Sequence, residues 1–205
     1  MPMLQSITLS LLAGTSLYTE DAPYSAEPEY HLGFTLAHED TPLYLWGQYE
    51  DLSVRILGQG VGDSSIASFG IGARKSFGPY FVFGQIGYGM IDEGANEGIQ
   101  QEIVYTDLLL NHRVDGRPAP VLLENDYDQS SYDTVWELED GFLGSLGVGY
   151  QWNNVGLSVA YRPFYVKEHV ELRDEDWREL TGGGWWQETR SRDLSSWQFN
   201  ISYSF

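Results

Sequence analysis

The sequence predicts an all-β fold: an eight-stranded antiparallel up-and-down transmembrane β-barrel with long loops at one end. Three observations predict it. Bulky apolar residues recur at every second position in eight segments, with small or polar residues between them. The connections between those segments alternate between short and long. The last nine residues, Trp197 to Phe205, place every large side chain on one face.

In chain order, the first strand runs from Met3 to roughly Tyr18, with Ile7, Leu9 and Leu11 opposite Ser6, Thr8 and Ser10. The second carries Tyr30, Leu32, Phe34 and Leu36 on one face, and a turn follows at His38 to Pro42. The third spans Leu43 to roughly Leu57. Its facing is ambiguous, because Tyr44 and Trp46 compete with Leu43, Leu45 and Tyr49. The fourth has Ala67, Phe69, Ile71 and Ala73 opposite Ser68, Gly70, Gly72 and Arg74. A turn at Ser76-Phe77-Gly78-Pro79 leads to the fifth, with Tyr80, Val82, Ile86, Tyr88 and Met90 opposite Phe81, Phe83, Gln85, Gly87 and Gly89. The sixth has Phe142, Leu146, Val148, Tyr150 and Trp152 on one face. Asn153-Asn154 makes a two-residue turn, since Asn tolerates positive φ. The seventh carries Val155, Leu157, Val159, Tyr161 and Tyr165, and the eighth is the C-terminal segment.

Segments 38–42, 76–79 and 153–154 are short; 19–28, 58–64, 92–140 and 173–194 are longer. Such alternation is expected when one end faces the periplasm and the other the exterior, and an even strand number puts both termini at the short-turn end. Polarity decides between a membrane barrel and a soluble carrier. Small residues on the inner face cannot line an apolar cavity, and the bulky outer face is too apolar for water.

Composition agrees. The 205 residues suffice for one barrel domain, aromatics make up 15% and glycines number 23. There is no cysteine, so neither a disulfide framework nor a thiolate metal site exists. The net charge of −19 excludes a nucleic-acid partner, which requires a basic face. No run of about 18 apolar residues marks a transmembrane helix. The N-terminus, MPMLQSITLSLLAGTSLY, lacks a basic n-region, and Ser6, Thr8 and Ser10 interrupt any h-region. It reads as a strand. An exported barrel needs a signal peptide, which leaves a removed leader, a viral gene or a misassigned start.

The ending WQFNISYSF resembles the C-terminal signature of outer-membrane β-barrels, alternating aromatics that close on a terminal Phe. The resemblance implies that the barrel assembly machinery reads Trp197, Phe199, Ile201, Tyr203 and Phe205. The stretches SIASFGIGARKSFGPYFVFGQIGYG and GFLGSLGVGYQWNNVGLSVAYRPF resemble hairpins of OmpA/OmpX-type small barrels. Together the resemblance covers about three-quarters of the chain. It implies an outer-membrane location with lipid and lipopolysaccharide as surroundings, and it says little about function.

Candidate sites are few. Arg74 and Arg162 fall on polar faces, and Glu50 lies where the facing is ambiguous. Buried charges need partners, so these three are expected to form a lumen charge network that plugs the barrel; the functional alternative is a narrow ion pathway. Segment 92–140 carries thirteen carboxylates and two arginines and reads as a solvated acidic extracellular loop. Its run Glu124, Asp126, Asp128 and Asp133 lacks the glycine and the bidentate Glu of a Ca²⁺ loop, so no metal is expected. Within it, Glu102 to Glu124 reads as a projecting β-ribbon turning at Asp115-Gly116. Trp177, Trp185 and Trp186 fit either an outer aromatic girdle or a sticky surface that contacts lipopolysaccharide or a protein partner. The histidines His31, His38, His112 and His169 have no serine or acid at catalytic spacing, and Thr181 and Ser191 have no evident base. No enzyme activity and no cofactor are expected. The leading reading is a surface adhesion, interaction or envelope-structural protein; the alternatives are a narrow pore and a soluble or virion-associated barrel.

Overall fold

The computed structural model describes residues 7–19, 29–38, 40–56, 59–92, 113–114, 117–118, 133–173 and 186–205. The strands among them are β1 (Ile7–Tyr18), β2 (Glu29–His38), β3 (Leu43–Ile56), β4 (Gln59–Phe77), β5 (Tyr80–Asp92), β6 (Arg113–Val114), β7 (Arg117–Pro118), β8 (Asp133–Leu138), β9 (Gly141–Trp152), β10 (Val155–Arg162), β11 (Tyr165–Arg173), β12 (Trp186–Asp193) and β13 (Ser196–Ser204). Eight of them close into an antiparallel barrel in the order β1-β13-β10-β9-β5-β4-β3-β2. Closure pairs both edges of every barrel strand, which is the condition for β-structure to cross hydrocarbon.

Period two sets the two faces of the wall. Leu32, Phe69, Ile86, Leu146, Phe199 and Ile201 lie on the outer face and are 47–72% exposed. So continuous an apolar exterior belongs against lipid. Inside, aromatics are accommodated by glycines on the neighbouring strand. A Cβ on Gly147 would collide with the Phe83 ring, and one on Gly149 with the Phe81 ring. The ambiguity in β3 resolves by the same rule. Trp46 is buried and Tyr44 half-buried inside, while Leu43, Leu45 and Tyr49 face outward. Trp46 fits because Gly87 leaves room for its ring, at 2.6 Å from where a Cβ would stand.

Two hairpins turn on a single positive φ, at Gly78 (64°) and Asn153 (51°). Phe77 pairs with Tyr80 and Trp152 with Val155, so each turn has two central residues. The termini meet at this short-turn end, where the Phe205 N–H donates to Leu9 O at 2.9 Å.

At the opposite end the strands run farther than the sequence predicts. Segment 58–64 is not a loop: the β3–β4 ladder continues to Ile56 opposite Gln59, past an irregularity at Val54/Arg55. The ladder supplies partners for the backbone there even though side-chain alternation fades. The seventh predicted strand does not run unbroken to Tyr165. Pro163 has no N–H to donate, so β10 ends at Arg162 and a new strand begins at Tyr165. Residues 173–194 are likewise not one loop, because β11 reaches Arg173 and Trp186–Asp193 form β12. With β8 these make a three-stranded sheet, β12-β11-β8, in the same lateral order as β13-β10-β9 below it. Arg113–Val114 pair antiparallel with Arg117–Pro118, and the turn expected at Asp115-Gly116 lies outside the described residues. The rest of the ribbon expected over 102–124 lies outside the described residues.

Candidate functional site

The lumen is crossed at one level by buried polar side chains from three strands. Glu50 of β3 and Arg162 of β10 form an ion pair, and their side chains are 0% and 2% exposed. Tyr18 of β1 donates its hydroxyl to the other carboxylate oxygen of Glu50 at 2.8 Å. Arg162 Nη2 lies 3.4 Å from the Tyr18 oxygen, and Gln48 Nε2 lies 3.4 Å from Glu50 Oε2. The arrangement neutralises both charges and supplies the carboxylate with several donors, the condition for an ion pair to persist away from water.

A second polar chain adjoins it. His31 of β2 sits between Asn200 Oδ1, 2.6 Å from its Nε2, and Ser16 Oγ, 3.1 Å from its Nδ1. Nε2 therefore donates to the amide oxygen and Nδ1 accepts from the hydroxyl. Gln198 donates to Ser16 Oγ at 3.4 Å. Toward the long-connection end, Leu52, Ile66, Leu143 and Phe164 are fully or almost fully buried. Phe164, Leu143 and Ile66 converge on Gly89, with ring or methyl atoms 3.0–3.5 Å from its would-be Cβ. Val166 and Leu194 are buried beyond them. Above the ion pair the barrel is thus stoppered by apolar side chains. Phe164 is anchored where the wall breaks: its N–H donates to Ser195 Oγ at 3.2 Å and its carbonyl accepts from Leu194 N at 2.8 Å.

Toward the short-turn end the lumen is hollow. A cavity of about 330 Å³ reaches from the turn residues His38, Thr41 and Pro42 up to Gln48, Gln198 and Asn200. Arg74 lines it, stacked on the Phe81 ring at 3.7 Å, with Nη2 donating to Gln151 Oε1 at 3.3 Å.

Of the predicted lumen network, Arg162 and Glu50 come together and Arg74 does not join them. Arg74 lies on β4 opposite Pro42, to whose carbonyl its backbone N–H donates at 2.8 Å, whereas Glu50 pairs with Ile66, four inward positions away along β4. Trp197, Phe199, Ile201, Tyr203 and Phe205 all face outward, each at least 47% exposed. Trp177 and Trp185 lie outside the described residues, as does the side chain of Trp186, although Trp186 opens β12. Glu124, Asp126 and Asp128 also lie outside them. Among the described residues no group of three His, Asp or Glu side chains is arranged to hold a metal ion. Tyr18, Ser16, His31, Gln198 and Asn200 are site residues that sequence reasoning passed over. Period two put most of them on the inner face, but only strand register brings them together. A second ion pair outside the barrel, Arg192 Nε to Glu168 Oε2 at 2.7 Å, was missed as well.

No family model matches the chain, and no curated protein matches it. Among solved structures, the chain is similar to the outer membrane protein OprG from Pseudomonas aeruginosa, with 12% identity and a TM-score of 0.51 over 98% of this chain and 96% of that one. Neisserial surface protein A (NspA) aligns with 11% identity and a TM-score of 0.43, over 97% of each chain. Closed strand order, inverted polarity and the likeness to OprG agree: this chain has the fold of a small eight-stranded outer-membrane β-barrel.

Proposed function

We propose that this chain is a non-enzymatic barrel of a Gram-negative-type outer membrane, and that it acts as a surface adhesion, interaction or envelope-structural protein through what it presents outside the bilayer. The observation that carries this reading is the stoppered lumen beneath a continuing sheet. Glu50–Arg162 and the apolar layer around Phe164 bar the passage, while β8, β11 and β12 carry three walls of the barrel outward. At the levels of the ion pair and of Phe164 side chains fill the narrow interior, so the barrel serves as an anchor. The acidic connections, with Trp177, Trp185 and Trp186, are the proposed contacts to lipopolysaccharide or a protein partner. The outward aromatics from Trp197 to Phe205 are the proposed signal to the barrel assembly machinery, and the rest of the outer face contacts lipid.

Planar-bilayer recording tests the anchor reading. The purified barrel is expected to show no stable unitary conductance. Stable openings in the unmodified chain would instead support the narrow pore.

A further inference from the structure

We propose that the hollow short-turn end of the lumen is a binding site for a small, water-soluble oxyanion, a carboxylate or a phosphate, held by Arg74. Arg74 is half-buried and carries a full charge inside the barrel. Unlike Arg162, it has no counter-ion: among the described residues no carboxylate lies within ion-pair distance of it. Among the described residues its guanidinium makes one hydrogen bond, to the neutral amide of Gln151 at 3.3 Å. The Phe81 ring covers one face of the guanidinium at 3.7 Å, which fixes its plane and leaves donors at its edge. A planar fork of free N–H groups matches a carboxylate or phosphate two bonds at a time.

The surroundings fit an anion of limited size. The cavity of about 330 Å³ is at the small end of the range for ligand pockets. Thr8, Ser10, Thr35, Ser76 and Ser202 line it with hydroxyl donors, and Phe81 and Phe83 offer apolar surface to the remainder of the molecule. Of the described side chains in the turns around its mouth, Asp40 is the acidic one. It is exposed and lies 3.9 Å from His38. The acidic connections join strand ends at the other end of the barrel, about 30 Å of hydrocarbon away. Over that distance salt screens their repulsion, since the Debye length is about 8 Å. The layer of Glu50, Arg162, His31 and Asn200 closes the cavity above, so an anion enters and leaves by the same mouth. The site is independent of the surface role proposed above, because it opens toward the opposite end.

The test uses the full chain in neutral maltoside micelles, titrated with benzoate, acetate and inorganic phosphate while backbone amide shifts are followed by NMR. The expected result is saturable shifts confined to the vestibule strands around Arg74 and Gln151. Arg74→Gln is expected to weaken binding at least tenfold. Lys75→Gln removes the same charge from the outer face and is expected to bind as the unmodified chain does. Heat-modifiability on a gel checks that each variant is folded. If Arg74→Gln does not fold, neutral benzamide in the unmodified chain decides, because it keeps the ring and loses the charge. Benzamide binding as tightly as benzoate, unsaturable shifts, or undiminished binding to Arg74→Gln would overturn the proposal. So would binding that appears only when phosphatidylglycerol is added, which would assign the site to a lipid headgroup.

Discussion

Glu50 and Arg162 meet across a diameter of the barrel: three strands separate β3 from β10 in either direction around the wall. The pair therefore ties together two walls that share no backbone hydrogen bond. Removing one partner strands a buried charge. Glu50→Ala is expected to destabilise the barrel by about 3–5 kcal/mol. The double variant Glu50→Leu/Arg162→Met, which strands nothing, is expected to lose less than either single truncation. Urea unfolding in detergent or vesicles measures all three, and a double variant weaker than both singles would contradict the strut.

The apolar stopper and the ion pair separate by their consequences. Phe164→Ala empties a fully buried ring position and is expected to cost about 3–5 kcal/mol. It is not expected to conduct, because Glu50–Arg162 still bars the lumen. Bilayer recordings of this variant would show whether a single layer suffices as a barrier.

Interior fit is tested at Gly147. Gly147→Val drives a side chain into the Phe83 ring and is expected to cost about 1–3 kcal/mol. Adding Phe83→Ala to that variant is expected to restore part of the loss. A double-mutant cycle with no coupling would show that the ring has other space to occupy.

The outer face makes a depth-dependent prediction. Leu146 is 72% exposed within β9, six positions from the end of that strand, and Leu146→Arg is expected to cost about 2–4 kcal/mol in vesicles. Tyr203→Arg, next to the C-terminal rim, is expected to cost about 0–1 kcal/mol. Equal costs at the two positions, read from reversible unfolding, would place the bilayer elsewhere on the wall.

Period two made the wall legible from sequence, because a strand between lipid and a narrow lumen has no freedom in which face each residue takes. Leu43 to Glu50 was the exception: interior glycines admit Tyr44 and Trp46, so bulk ceased to mark the outside. The break at Pro163 was hidden for a related reason. Phe164, Val166 and Glu168 stay on the inner face beyond it, and the alternation reads straight through. The site was less legible than the fold. Arg162 and Glu50 are 112 residues apart and His31 and Asn200 are 169 apart, and only the register of intervening strands decides that these pairs meet while Arg74 stays alone.

The seam between β1 and β13 carries a consequence for biogenesis. Ser10 and Ser204 touch at 2.9 Å across 194 positions of chain, so the cylinder is sewn shut by its first and last strands. Loop entropy is a mild obstacle to such a stitch, since doubling a loop adds only about 0.6 kcal/mol. The graver hazard is the interval before it. Until the final strand arrives, β1 and β10 each offer a bare row of amides and carbonyls to hydrocarbon or to another nascent chain. Arrival of that strand is thus the step that leaves the wall without an open margin.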